Sequence, residues 1–331
     1  MLRWLGRTAL SVIPVAIGVV IAVFALLRIV PGDPARMILG EQATPESVEA
    51  LREQLGLNLP VWQQFVDFVV TLVTTGSTGD SLQYGVPTRE LVLDRAPITL
   101  GLVGLAVLFS ILIAIPLAMI AAVQRDRLPD HVIRVIPMVG LGMPTFWIGL
   151  ILILIFAVGL KWLPVGGIGT GPGEPLRSLL LPALTVSLGF VPGLVRSLRA
   201  ELVDQLGADY VTTLTAARVP RHRVLGRHVL RNAAIPALML FSVNIATLLG
   251  GTVVIEKVFA INGVGSLLFS SISNRDFPVV QGVALFCAIA VVIVSVLIDG
   301  IVQLIDPRAR AQRGGAVRRR REASGTQEER A

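Results

Sequence analysis

Six stretches of this chain are long and apolar enough to cross a lipid bilayer, and that pattern restricts the fold more than any other feature. A spanning helix needs about 20 predominantly apolar residues. The runs are approximately Ala9–Val30, Thr99–Val123, Val132–Val158, Ser178–Leu198, Ala233–Ile255 and Pro278–Ile305. Backbone amides inside hydrocarbon have no water to bond, so apolar runs of this length read as helices. Composition agrees: 53% of the 331 residues are hydrophobic and 15% are charged, against about a quarter charged in a soluble domain. The expected fold is an all-α membrane protein with six transmembrane helices.

The polar segments orient those helices. Arg3 and Arg7 precede the first run, and Arg125 and Arg127 follow the second. Arg196 to Arg231 separate the fourth from the fifth, and Arg308, Arg310 and Arg313 follow the sixth. All four groups fall on one side of a six-span chain, which predicts cytoplasmic N- and C-termini in a bacterial-type inner membrane. The first run has the charge pattern of a signal peptide, but it is too long and no small-residue cleavage site follows, so it reads as an anchor. Residues 31–98 form a long external loop in which acids outnumber bases. Within it, Thr44-Pro45-Glu46 reads as a capped helix start and Gly56 as that helix's end. Val61–Val73 has the spacing of an amphipathic helix, on the membrane surface or packed on the bundle. Residues 1–310 are expected to form one membrane domain, and 311–331, with Arg318 to Arg321, a basic disordered tail near anionic lipid. Nothing around that tail resembles a nucleic-acid reading module.

The chemistry of the chain is sparse. No GxxxxGK[ST] phosphate-cradling loop is present, so ATP is not expected to bind here. His131, His222 and His228 lack metal-site spacing, and the lone Cys287 rules out an intramolecular disulfide. No catalytic residue and no metal site are expected. Asp299 is the one acid inside an apolar run and is expected near the inner interface. The glycines and prolines of spans three and four predict helix breaks, which are tolerated only against protein or a water-filled cavity. They suggest a translocation path near Pro144, Trp147, Gly189, Pro192 and, on span five, Asn244. Close packing through small residues, as at Gly250-Gly251-Thr252, explains the same residues equally well.

Asp209–Pro236 is a long polar, basic segment set between strongly apolar ones. Asp209-Tyr210 is expected to start a short helix with aspartate as its cap. Val211, Leu214 and Ala217 share one face of it, and Val219-Pro220 ends it. A second helix is expected from about Arg221 into span five, with Arg223, Arg227 and Arg231 as a basic stripe. Two readings stand: a solvated face at lipid phosphates, or a pair of surface helices offered to a protein partner.

Taken in order, several motifs resemble the permease subunits of binding-protein-dependent ABC importers, nearest the dipeptide, oligopeptide and nickel class. They are Pro31-Gly32-Asp33-Pro34, Thr44–Leu57, Gly79-Asp80-Ser81-Leu82, Pro144–Gly149, Trp162-Leu163-Pro164, Asp209-Tyr210-Val211, His228–Pro236, Glu256 to Gly265, Asn274–Pro278 and Asp306-Pro307-Arg308. The proline-glycine-aspartate-proline segment after span one is similar to the first of two permease types. The resemblance implies substrate passage by alternating access. The implied partners are a second homologous permease, two ATPase subunits carrying ATP and Mg, and an extracytoplasmic substrate-binding protein. It implies ATPase coupling through a loop at about 200–232, with Asp209, Tyr210, Thr213, Ala216, Ala217, Arg218 and Arg221 in the contact. It implies loop anchoring by His228, Arg231, Asn232 and Pro236. Two departures stand out. Thr212, Thr213 and Leu214 occupy the family's usual Glu-Ala-Ala positions, and its loop glycine falls on Arg218. Arg218 is expected to take an ordinary negative φ beside the Val219-Pro220 break. Peptide is the expected substrate, with nickel or a small oligosaccharide as alternatives. A stand-alone secondary carrier is the alternative from another class.

Overall fold

The computed structural model describes residues 13–25, 33–39, 43–54 and 56–305. Arg3, Arg7, Arg28, Pro31, Gly32, Asp306-Pro307-Arg308 and the basic tail lie outside the described residues. The helices are α1 (Ile13–Ala25), α2 (Pro34–Leu39), α3 (Pro45–Gln54), α4 (Val61–Thr75), α5 (Thr88–Val123), α6 (Leu128–Leu141) and α7 (Thr145–Leu152). There follow α8 (Glu174–Leu206), α9 (Asp209–Ala216), α10 (Arg221–Arg223), α11 (Leu230–Val258), α12 (Val264–Ser273) and α13 (Phe277–Ile305). Two π-helical segments, Ile153–Gly159 and Val224–Val229, follow α7 and α10 directly. Among the described residues there is no strand, only an isolated bridge between Asp80 and Pro87.

Among the described residues three helices are long and apolar enough to cross a membrane: Thr88–Val123, Glu174–Leu206 and Phe277–Val302. Within the other three expected spans lie the shorter apolar α1, the broken run from α6 through the first π segment, and α11. The break expected in span three is present. α6 stops at Leu141, and Pro144 takes an extended ψ of 135° as the N-cap of α7. The breaks expected in span four are absent, because α8 runs unbroken through Pro182, Gly189, Pro192 and Gly193. Proline's fixed φ is itself helical, so each proline removes one amide donor without ending a helix packed among neighbours. Two boundaries also move. α5 begins at Thr88, inside the segment read as loop, and α8 continues through the start of the segment read as coupling loop, to Leu206.

The chain divides into two compact units. The first comprises Met1–Ile111, Gly140–Phe190 and Ala246–Val292. Its core joins Val92 and Ala96 of α5 to Val264 and Leu267 of α12 and to Val279 and Val283 of α13. Distant sequence signatures meet here. Asp33 accepts from the Ala35 amide at the start of α2 and pairs with Arg52 of α3 at 2.8 Å. Ser81 donates to the buried Asp276, whose carboxylate also accepts from the Leu82 amide at 3.2 Å. Glu256, fully buried, accepts from the Thr99 hydroxyl and from the Ser266 amide, each at 2.7 Å. A Cβ at Gly263 would lie 2.5 Å from the Glu256 carboxyl group, so any side chain there would have to displace that carboxylate.

The second unit comprises Leu112–Val139, Val191–Ile245 and Ile293–Ala331. Ala114, Ala118 and Ala122 of α5 pack with Val191, Val195, Leu198 and Leu202 of α8. Val224 and Val229 of the second π segment and Ala233 and Ala237 of α11 complete this core. Asp299 lies on α13, and its side chain is outside those described.

Candidate functional site

The basic segment folds onto the second unit's core as two short elements. α8 ends at Leu206, and only Gly207 and Ala208 separate it from α9. The N-cap of α9 is Ala208, with no side-chain cap. Asp209, expected to be the cap, is instead the first helical residue, where its charge favours the positive end of the helix dipole. The Tyr210 hydroxyl donates to Gln205 Oε1 at 2.9 Å and holds the start of α9 to α8. Val211, Leu214 and Val219 press against the core. Ala217, expected on the same face as Val211 and Leu214, is exposed. It is the C-cap, so the chain has already turned there. Asp209, Thr213, Ala216, Ala217, Arg218 and Arg221 are all exposed, and Tyr210 is half-buried. The result is a ridge of small and polar side chains on an apolar base.

Arg218 departs from expectation: its φ is 55°. The cause is the way α9 ends. The Val219 amide donates to the Leu214 carbonyl, and the Arg218 amide to the Thr215 carbonyl, each at 3.0 Å. That pair of bonds is the Schellman termination, which places the residue after the C-cap in the left-handed region. Val219 and Leu214, the hydrophobic pair that accompanies the motif, both contact the core. The guanidinium itself is exposed.

Beyond Pro220, α10, the second π segment and α11 run on as one helical stretch from Arg221 to Val258. Arg223, Arg227 and Arg231 are all exposed, so the stripe is basic and faces outward. The half-buried His228 lies in the π segment, Asn232 is exposed on α11, and Pro236 lies inside α11. The π geometry carries no periodicity signal that a sequence reading could have used.

Sequence reasoning missed one feature of this unit. Asp130, in the first turn of α6, is fully buried. Arg199 of α8 grips it with two hydrogen bonds, Nε to Oδ1 and a terminal nitrogen to Oδ2, both 2.6 Å long. The same carboxylate accepts from the Asp126 amide at 2.9 Å and has Arg134 at 3.4 Å. Above all, the Arg199 hydrogen bonds hold this carboxyl group down at about 2, against an ordinary value of 3.8. The available signal was an acid at the mouth of an apolar run, since a buried charge needs a partner.

The suggested path residues divide between the units. In the first, Pro144 and Trp147 are exposed, and a Cβ at Gly189 would lie 3.2 Å from Thr145 Oγ1. In the second, Pro192 is buried. Asn244 lies on α11, and its side chain is outside those described. Among the described residues no group of three His, Cys, Asp or Glu is placed to hold a metal ion.

A helical chain with long apolar helices and an exposed basic ridge held on an apolar core defines a multi-helix membrane protein. Residues 114–311 match the family of binding-protein-dependent transport system inner membrane components. Residues 1–103 match the N-terminal family of binding-protein-dependent transport system membrane components. The chain belongs to this family. It is 36% identical over 343 residues to the di/tripeptide transport system permease protein DppB of Pseudomonas aeruginosa, covering 95% of this chain and all of that one. It is 34% identical over 310 residues to the glutathione transport system permease protein GsiC of Salmonella choleraesuis, covering 94% of this chain and 99% of the relative. The oligopeptide transport system permease protein AppB of Bacillus subtilis is 32% identical over 314 residues, covering 93% and 99%.

Proposed function

We propose that this chain is the first-type transmembrane permease subunit of an ATP-driven importer that passes di- or oligopeptides inward by alternating access. The relatives' peptide substrates support the substrate class. On this reading six spans cross the inner membrane with both termini cytoplasmic, and residues 311–331 form a cytoplasmic tail. α9 docks in a groove of an ATPase subunit. A second homologous permease completes the path, and two ATPases bind and hydrolyse ATP with Mg. A binding protein delivers substrate from outside. Asp209, Tyr210, Thr213, Ala216, Ala217, Arg218 and Arg221 form the contact. His228, Arg231, Asn232 and Pro236 anchor the loop. Pro144, Trp147, Gly189, Pro192 and Asn244 belong to the path. The chain forms no covalent intermediate and hydrolyses nothing.

The observation that carries the reading is the ridge itself. A short helix is fixed from below by Val211, Leu214 and Val219 and leaves Ala216 and Ala217 exposed. Small exposed residues on a rigid base let another surface approach closely, and the surrounding arginines favour an acidic partner. The test is reconstitution in lipid vesicles. The chain alone should hydrolyse no ATP above background. With its second permease and ATPases it should do so, faster with peptide-loaded binding protein. Robust hydrolysis by the single chain rejects the proposal.

A further inference from the structure

The Asp130 carboxylate binds three parts of the second unit at one point. It bonds back to the turn between α5 and α6 through the Asp126 amide, where φ is 61°. It belongs to α6, and it holds Arg199 of α8 through two parallel hydrogen bonds. Arg199 lies seven residues before Leu206, or about 10 Å along the helix axis at 1.5 Å per residue, and α9 follows after two residues. A two-point fork fixes rotation as well as distance. An ion pair out of water adds little net stability over apolar groups of the same shape, so its contribution lies in geometry.

We propose that Asp130 and Arg199 are positioning residues that lock α8, and the docking helix it carries, to the α5–α6 turn, so that displacement of α9 moves that turn with it. This rests on the docking reading above. Exposed Leu128, beside the turn, and exposed Ala216, on the ridge, report the two ends. In the assembled transporter, spin labels at cysteines placed there should give one distance distribution with and without ATP and vanadate. Asp130→Asn should make that distance change when ATP and vanadate are added. It should also reduce stimulation of ATP hydrolysis by loaded binding protein about tenfold or more, within the range of allosteric coupling energies. Asp130→Glu should restore part of both. A merely structural pair would lower yield and melting temperature and leave the ATP-dependent distance unchanged. If Asp130→Asn does not assemble, Arg199→Lys, which keeps one charged hydrogen bond, should show an intermediate change. An unchanged distance in the assembled variant, or a distance that already shifts in the wild type, overturns the proposal. Failure of the docking reading looks different: Ala217→Trp would then retain the ATPases as well as wild type does.

Discussion

Arg218→Gly should tighten the end of α9. At φ 55° an L-residue sits in the left-handed region, which costs about 1–2 kcal/mol. Glycine avoids that penalty, but its freer unfolded chain returns about 0.5–1 kcal/mol. The net gain is about 0.5–1 kcal/mol, or about a 2–5-fold smaller opening equilibrium. The amides to watch are Arg218 and Val219, which donate to Thr215 and Leu214. Hydrogen exchange reads their local opening directly. In Arg218→Gly the Val219 amide should exchange about 2–5-fold more slowly, on the same energy conversion. Arg218→Ala should match wild type, because alanine meets the same steric cost. Arg218→Val should exchange fastest, because a β-branched residue tolerates positive φ least. Faster exchange in Arg218→Gly, or equal exchange in the valine variant, would refute the left-handed assignment. ATPase retention measured on the same variants separates this backbone effect from loss of the guanidinium. If Arg218→Gly releases the ATPases while Arg218→Lys keeps them, the positive charge at position 218 is itself part of the contact.

Ala217→Trp should insert and fold normally yet lose co-purifying ATPase, because overpacking a close contact costs about 1–3 kcal/mol. Asp130 titrates far below its unfolded value of 3.8, so its stabilising contribution is present above that value. It should be lost as pH falls through it towards about 2; melting of Asp130→Asn should lack that acid dependence, and a parallel wild-type and variant profile contradicts the pairing. Reporters fused after Arg127, after Glu201 and at the C-terminus should report cytoplasm and one near Gly76 outside; an external C-terminus contradicts the six-span orientation. Asp276→Ala should loosen the 77–85 loop, seen as faster proteolysis there, because Ser81 and the Leu82 amide lose their acceptor.

Local signals were legible. Thr44 caps its helix as expected, with its hydroxyl accepting from the Ser47 amide at 3.2 Å. Gly56 follows α3 with φ 65°, and Pro144 interrupts span three where its neighbours predicted. Each of these depends on a few adjacent residues. Signals that depend on distant partners were not legible. Pro182 and Pro192 have the same local chemistry as Pro144, but packing along α8 keeps their helix whole. Arg199 and Asp130 are 69 residues apart, and neither residue alone announces the other. The resemblance marked Gly79–Leu82 and Asn274–Pro278 as signatures without saying that Ser81 and Asp276 meet. α12 went unread because its ten residues are too few for a span and lie between two of them. In α9 and its end the apolar underside was readable from Val211 and Leu214, whereas the left-handed termination at Arg218 was not. That termination comes from the hydrogen bonds made by Val219 and Arg218, and arginine carries no signature of it.

On the proposed function, α9 is where this chain meets its ATPase. The most direct measurement is site-specific cross-linking in membranes that contain the complete transporter, with a photo-reactive residue at Ala216 or Ala217 and, as a control, at Leu128. An ATPase adduct is expected from both ridge positions, strengthened by ATP, and none from Leu128. Adducts from the ridge to lipid alone, or equal ATPase adducts from all three positions, would contradict it.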